Sequence, residues 1–494
     1  MNPLRQLAGQ TAIYGLSSVG ARILNFLLVP FYTRVFTDTA EYGIVNELYA
    51  YVAFFIVILT YGMETAFFRY SSKNRDKNLV FSTSLISLIT TSIIFTLFIV
   101  IFFSEIATII GYEDQKYFVL LLGMVLSLDA VVSIPFARLR LQNRPVRFAL
   151  IKLFNISVNI LFNLFFLVLL PWMAEQGIRF YGFDLIYDAD FSVGYVFVSN
   201  LLASFFTMLF FIREIFLSGF RFSGRLLRSM LSYAFPLLIA GLAGTVNEVI
   251  DRIMLRYRLP GDINALEQIG IYGANVKIAV LMTLFIQMFR YAFEPFFFNQ
   301  EKNADSRVLY ARVLHYFSIF GIFVFLIISL YIDIFKHIIG SGYHSGLKVV
   351  PVILLGNLML GIYYNLSVWY KLKELTHFGA LFAISGAIIT LSVNYIFIPY
   401  FGYMASAWGH FLSYFLMVVI SYYVGKRYFP VPYKIRNLFF YFLCGVTLYL
   451  LSVAIYPDNV FYRLILNTVL LIVYVLIVVY KEREILNEIL NGKW

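Results

Sequence analysis

Charge is scarce in this chain. Only 13% of its 494 residues are Asp, Glu, Lys or Arg, whereas 61% are hydrophobic and 19% aromatic. Soluble domains carry roughly a quarter charged residues, and a water-soluble particle cannot cover so much apolar surface with so few charges. Cysteine occurs once, at Cys444, which excludes an intrachain disulfide and a thiolate metal site and leaves the redox compartment unreadable. The five histidines, His315, His337, His344, His377 and His410, do not fall at ligand spacing. A Gly-rich phosphate loop and a nucleophile elbow are both missing. No metal, cofactor or catalytic constellation is expected, and the chain does not read as an enzyme. A cleavable leader is not expected either, because the apolar run after Arg5 outlasts a signal peptide and lacks a small-residue cleavage site.

What the chain has instead is long apolar runs. A bilayer core about 30 Å thick needs roughly 20 helical residues per crossing. Such runs begin near Thr11, Tyr42, Leu79, Tyr117, Val146 and Phe191, then near Ser229, Gln268, Val308, Leu347, Thr376, Tyr403, Tyr433 and Val460. The expectation is an all-α polytopic membrane protein of about 14 transmembrane helices. Short cytoplasmic loops concentrate Lys and Arg. With the loops taken alternately, 26 of the 38 basic residues fall on the side of both termini, nine on the other, and Arg22, Lys152 and Lys277 lie inside spans. Both termini are therefore expected in the cytoplasm, and the net charge of +11 is explained by basic loops facing the inner leaflet, without nucleic acid.

Landmarks recur at a fixed offset. Gly43 and Gly270 open the second and eighth spans 227 positions apart, and Pro171 and Pro399 close the fifth and eleventh 228 apart. The pattern predicts an N-terminal lobe over 1–213, a cytoplasmic amphipathic linker over 214–228, a C-terminal lobe over 229–427, and two appended helices with a cytoplasmic tail over 428–494. Duplicated bundles of this kind are typical of transporters.

Ionisable residues inside a bilayer are costly and usually face water or a partner. Arg22 lies too deep in the first span to reach the interface easily, and Asn25 shares its face. Lys152, Asn155, Asn159 and Asn163 form one stripe on the fifth span, read either as a ligand surface or as interhelical glue. On the seventh span Asn247, Glu248, Asp251 and Arg252 crowd together, and Asp251 and Arg252 could simply pair. Glu64 and Asp129 are expected to partner Arg69 and Arg138, and Glu47 is left open. Deep cations at Arg22 and Lys277 suit an anionic ligand, and phosphate matches a guanidinium fork.

Several strings carry a family resemblance: Leu28-Val29-Pro30-Phe31-Tyr32-Thr33-Arg34, Glu41-Tyr42-Gly43, Tyr61-Gly62-Met63-Glu64, Asp251-Arg252-Ile253-Met254-Leu255, Ile269-Gly270-Ile271-Tyr272 and Asn394 to Gly402. In order and spacing they resemble the polysaccharide and O-antigen flippases of the multidrug/oligosaccharidyl-lipid/polysaccharide (MOP) exporter superfamily. That resemblance implies a bacterial inner-membrane flippase, serving lipopolysaccharide or other polysaccharide biosynthesis. It would turn a polyprenyl-diphosphate-linked oligosaccharide to the outer leaflet by alternating access through a central cationic cavity, its lipid tail remaining among membrane lipids. Under it, substrate-binding residues are Arg22, Asn25, Lys152, Asn155, Asn159, Asn163, Arg252 and Lys277. Glu248 and Asp251 are candidates for coupling to H+ or Na+, and a glycan polymerase or glycosyltransferases are candidate partners. The alternative reading is an ion-coupled drug or metabolite antiporter of the same superfamily.

Overall fold

The computed structural model describes residues 20, 22–217, 219–300 and 306–483, and every regular element among them is helical. They form α1 (residues 22–35), α2 (Thr39–Thr60), α3 (Met63–Lys73), α4 (Lys77–Ile110), α5 (Tyr117–Leu141), α6 (Pro145–Leu164), α7 (Leu170–Glu175), α8 (Phe183–Ile186), α9 (Gly194–Leu209) and α10 (Ile212–Phe216). The series continues with α11 (Gly224–Arg258), α12 (Ala265–Gln300), α13 (Ser306–Leu330), α14 (Ile332–Phe335), α15 (Val350–Leu366), α16 (Val368–Leu372), α17 (His377–Phe401), α18 (Tyr403–Tyr428), α19 (Ile435–Ile455) and α20 (Val460–Lys481). Helices dominate because hydrocarbon offers no partner for a free peptide group. Their ends are fixed by local chemistry: Asp38, Asp76 and Asn459 accept backbone N–H groups at the starts of α2, α4 and α20, and Gly111 closes α4 in the left-handed conformation.

Twelve helical segments among the described residues have the length and hydropathy to cross a membrane, α2 with α3 counting as one, so the chain is a multi-pass membrane protein. α9 is apolar but shorter, and the expected beginning of the first span near Thr11 lies outside the described residues. α4 shows how these segments meet lipid: Ile93, Ile94, Leu97, Phe98 and Ile101 are all exposed.

Two compact units emerge, one of residues Met1–Tyr257 with Asp262–Gly270, the other of Arg258–Gly261 with Ile271–Trp494. Within the first, α5 packs on α2, α3, α4, α6 and α9. Its core joins Met63, Phe67, Phe81, Leu85, Ile134, Phe136 and Phe211 to Met230 and Ala234 of α11. Thus α11, which the repeat assigns to the C-terminal lobe, packs on the first unit. Within the second, α13 contacts α15, α19 and α20, and α18 contacts α15 and α17. The pairs α4–α5, α5–α9 and α6–α9 of one unit have counterparts in α13–α15, α15–α18 and α17–α18 of the other, the pairing expected of two repeats.

Three features differ from the sequence expectation. The second span is broken at Tyr61 and Gly62, whose φ angles of 33° and 70° separate α2 from α3; a side chain on Gly62 would stand 3.1 Å from the Ala234 carbonyl oxygen. The fifth span does not end at Pro171. It passes through a π-helical turn at Phe165–Leu169 and continues to Glu175, because proline supplies no N–H to the preceding turn and the wider turn absorbs the loss. Finally, no single amphipathic helix covers 215–228: the short α10 ends at Phe216 and Gly224 already begins α11.

Candidate functional site

Polar side chains of the first unit gather where α2, α5, α6 and α9 meet. On α6, Asn155 donates to the Thr207 hydroxyl of α9 at 2.8 Å. Two turns on, Asn163 is wholly buried, donates to the Asn159 side-chain oxygen at 2.6 Å, and accepts from the Tyr32 hydroxyl of α1 at 2.9 Å. The stripe is therefore tied to both neighbours, with Asn163 committed to protein partners. Lys152, at its other end, places its ammonium 4.3 Å from the centre of the Phe136 ring and interacts electrostatically with Asp129. Asp129 in turn accepts from the Ser204 hydroxyl at 2.7 Å, and Asn200 donates to the Tyr49 hydroxyl at 2.9 Å.

Ser204, Asn200 and Tyr49 are additions that the sequence reading missed, and Asp129, read there only as an ion-pair partner, joins them. A signal was available, since Asn200, Ser204 and Thr207 recur at i, i+4 and i+7 and so share one face of a helix. Asp129 does not partner Arg138, whose guanidinium stacks 4.1 Å from the Phe81 ring centre and donates to Asn78 at 3.0 Å. Glu64 pairs with Arg140, leaving Arg69 to lie 4.1 Å over the Tyr233 ring. An incoming anion at Lys152 would compete with Asp129.

Arg22 and Asn25 are both exposed on α1. Among the described residues Arg22 has no hydrogen-bond or ion-pair partner. It sits 13 residues before the end of α1 at Val35, about 20 Å along the axis at 1.5 Å per residue. In α11, Asp251 and Arg252 are buried at 6% and 9% exposure and paired at 3.0 Å; Arg252 also donates to the Glu248 carbonyl oxygen at 2.8 Å, while the Glu248 side chain is exposed. Charge neutralisation within one turn makes this buried arginine tolerable.

Lys277 lies half-buried on the part of α12 that belongs to the second unit, so Arg22 and Lys277 fall in different units. Beside Lys277 on α12, Asn275 donates to the Ile271 and Tyr343 carbonyl oxygens, both at 2.8 Å, and the Ala279 carbonyl accepts from Asn357 at 3.1 Å. The His410 ring nitrogen completes this set, 3.0 Å from the Asn357 oxygen. Among the described residues no group of His, Cys, Asp and Glu is arranged to hold a metal.

The fold has solved counterparts. The chain is similar to the lipid II flippase MurJ in an inward closed conformation, at 15% identity and a TM-score of 0.73, over 96% of this chain and 100% of that one. It is similar also to an inward-facing multidrug resistance MATE family transporter of the MOP superfamily, at 13% identity and a TM-score of 0.64, over 84% and 94% of the two chains. A third is a MOP superfamily transporter from Pyrococcus furiosus Vc1, at 13% identity and a TM-score of 0.55, over 85% and 94%. At such identities the likeness establishes a shared fold. No curated protein sequence matches the chain significantly. Residues 7–301 match the family model of polysaccharide biosynthesis proteins, a stretch that holds α1, the polar stripe of α6 and the charged turn of α11, and the chain belongs to that family.

Proposed function

We propose that the protein is a flippase that carries a polyprenyl-diphosphate-linked oligosaccharide from the cytoplasmic to the outer leaflet of a bacterial inner membrane by alternating access, with both termini in the cytoplasm. The observation that carries this reading is Arg22, exposed on α1 about 20 Å before its end at Val35 and without a hydrogen-bond or ion-pair partner among the described residues. A cation inside a bilayer is expensive unless an anion arrives, and a diphosphate offers the paired oxygens that a guanidinium binds best. Lys152 in the first unit and Lys277 in the second are the further cations this reading assigns to the headgroup, while Arg252 is already matched by Asp251. Asn25, Asn155 and Asn159 offer amides to sugar hydroxyls, while Asn163 anchors the stripe to α1. Family membership over residues 7–301 and the fold shared with a lipid II flippase support the reading.

The proposal is tested with purified protein in proteoliposomes containing a fluorescent polyprenyl-diphosphate oligosaccharide. Protein-dependent exposure of the sugar on the opposite leaflet is expected, with no movement of the free sugar. Movement of organic cations in exchange for H+ or Na+, with the lipid-linked sugar left in place, would establish the antiporter reading instead. Ion coupling at Glu248 or Asp251 is read in the same vesicles: transport that continues unchanged after the gradients collapse removes it.

A further inference from the structure

Glu47 of α2 is wholly buried. Its Oε2 accepts the Tyr112 hydroxyl at 2.7 Å and lies 3.9 Å from Nε of Arg256 on α11. Its Oε1 is buried and has no hydrogen-bond partner among the described residues. A charged carboxylate in a low-dielectric site is tolerated when both oxygens are met; here one hydrogen bond and one long ionic contact serve a single oxygen. Oε1 is therefore the atom at which this carboxylate has room to receive a proton.

The surroundings link this carboxylate to α11. Arg256 donates from Nη2 to the Gly111 carbonyl oxygen at 3.3 Å, and its guanidinium carbon lies 5.6 Å from the Tyr112 ring centre. Gly111, at a φ of 78°, is shaped for that approach: a side chain there would meet Nη2 at 3.1 Å. Tyr51, one turn beyond Glu47, and Tyr257, next to Arg256, bring their hydroxyls within 3.0 Å of each other. Arg252, one turn before Arg256, is matched by Asp251. Burial, with the Glu47 carboxylate beside it, pushes the Tyr112 phenol well above its ordinary range, so it stays a donor. Among the described residues, Tyr51, Tyr112 and Arg256 are thus the titratable or charged groups facing Glu47, with Tyr257 held behind Tyr51.

We propose that Glu47 is a proton-binding site that sets how firmly α11 is held to the first unit. With Glu47 charged, the ionic attraction to Arg256 adds to the Tyr51–Tyr257 and Arg256–Gly111 contacts. When one proton from the aqueous phase adds to Oε1, the carboxyl is neutral, the ionic attraction ends and α11 keeps only the neutral contacts. Loss of the same proton to water restores the grip. The inference goes beyond the flippase reading and does not need it to be correct.

The test uses the full chain in nanodiscs, without substrate. Infrared difference spectra recorded while pH is varied should show a protonated-carboxyl band that Glu47→Gln removes. Tyr112→Phe and Arg256→Gln, which each take a stabilising partner from the charged form, should raise the proton affinity of that band about tenfold. Spin labels at Glu113→Cys and Asp262→Cys, with Cys444→Ser, should give a distance distribution that broadens as pH falls, and Glu47→Gln should hold it broad at every pH. A carboxyl signal untouched by Glu47→Gln overturns the proposal; so does a midpoint unmoved by both partner substitutions, or a distance independent of pH. Each result is obtained without any lipid-linked sugar, so its failure is separate from failure of the transport reading.

Discussion

Gly43 and Gly270 lie against one another's backbones. A methyl group on Gly43 would fall 1.9 Å from the Leu266 carbonyl oxygen, and one on Gly270 would fall 1.9 Å from that of Thr39. The two glycines that mark the repeat in sequence are thus where the starts of α2 and α12 cross closely, an approach that only a residue without a side chain permits. Gly43→Ala should destabilise the protein by about 1–3 kcal/mol, the usual range for overpacking. Gly244→Ala, at a helical position with nothing within 4 Å, should be neutral or slightly stabilising. Thermal unfolding in detergent distinguishes the two.

Asp251 and Arg252 neutralise each other inside the first unit. Removing one partner leaves a buried charge, so Asp251→Leu should cost on the order of 3 kcal/mol, whereas Asp251→Leu with Arg252→Met should recover most of the loss. A double-mutant cycle on unfolding free energy measures this coupling; additive effects would show that the pair is independent.

Tyr32 supplies a hydrogen bond to the buried Asn163 oxygen. Tyr32→Phe keeps the ring and deletes the donor, which should destabilise by about 1–3 kcal/mol through an unsatisfied buried acceptor. The loss should be largely absent in an Asn163→Leu background.

Glu482, just beyond α20, is the group whose titration should be visible in stability. Burial alone would raise its pKa, but the Tyr441 hydroxyl at 2.7 Å and His315 Nε2 at 2.9 Å outweigh it and hold the carboxyl below its ordinary value. A depressed folded-state pKa stabilises the protein above the unfolded value of about 4.3, and that contribution is lost as pH falls through the folded pKa. The difference in melting temperature between wild type and Glu482→Gln should therefore be full at neutral pH and shrink under acid conditions.

The spans were legible because hydrocarbon imposes a length and loops impose a charge bias, both of which are local properties of the chain. Side-chain pairing was less so. Glu64 and Asp129 were matched to arginines nearby in sequence, yet a helix turns through about 100° per residue and the actual partners, Arg140 for Glu64 and Lys152 with Ser204 for Asp129, lie on other helices. The break at Tyr61-Gly62 depends on α11 approaching Gly62, a contact between residues far apart in sequence. Glu47 could not be judged from α2 alone, since its surroundings come from the turn after α4 and from α11. The polar residues of the fifth span were visible as a stripe and those of the seventh as a cluster, but whether each faced a neighbour or open space was decided by helix rotation, which periodicity does not supply.

Arg22, which has no partner among the described residues, is proposed to receive the diphosphate headgroup. The most direct test of that role is the initial rate of lipid-linked oligosaccharide flipping by wild type, Arg22→Lys and Arg22→Ala at equal reconstitution. A charge-assisted contact worth about 1.5–3 kcal/mol predicts a fall of about tenfold or more for Arg22→Ala, with Arg22→Lys between. An Arg22→Ala protein that flips at the wild-type rate would contradict the account.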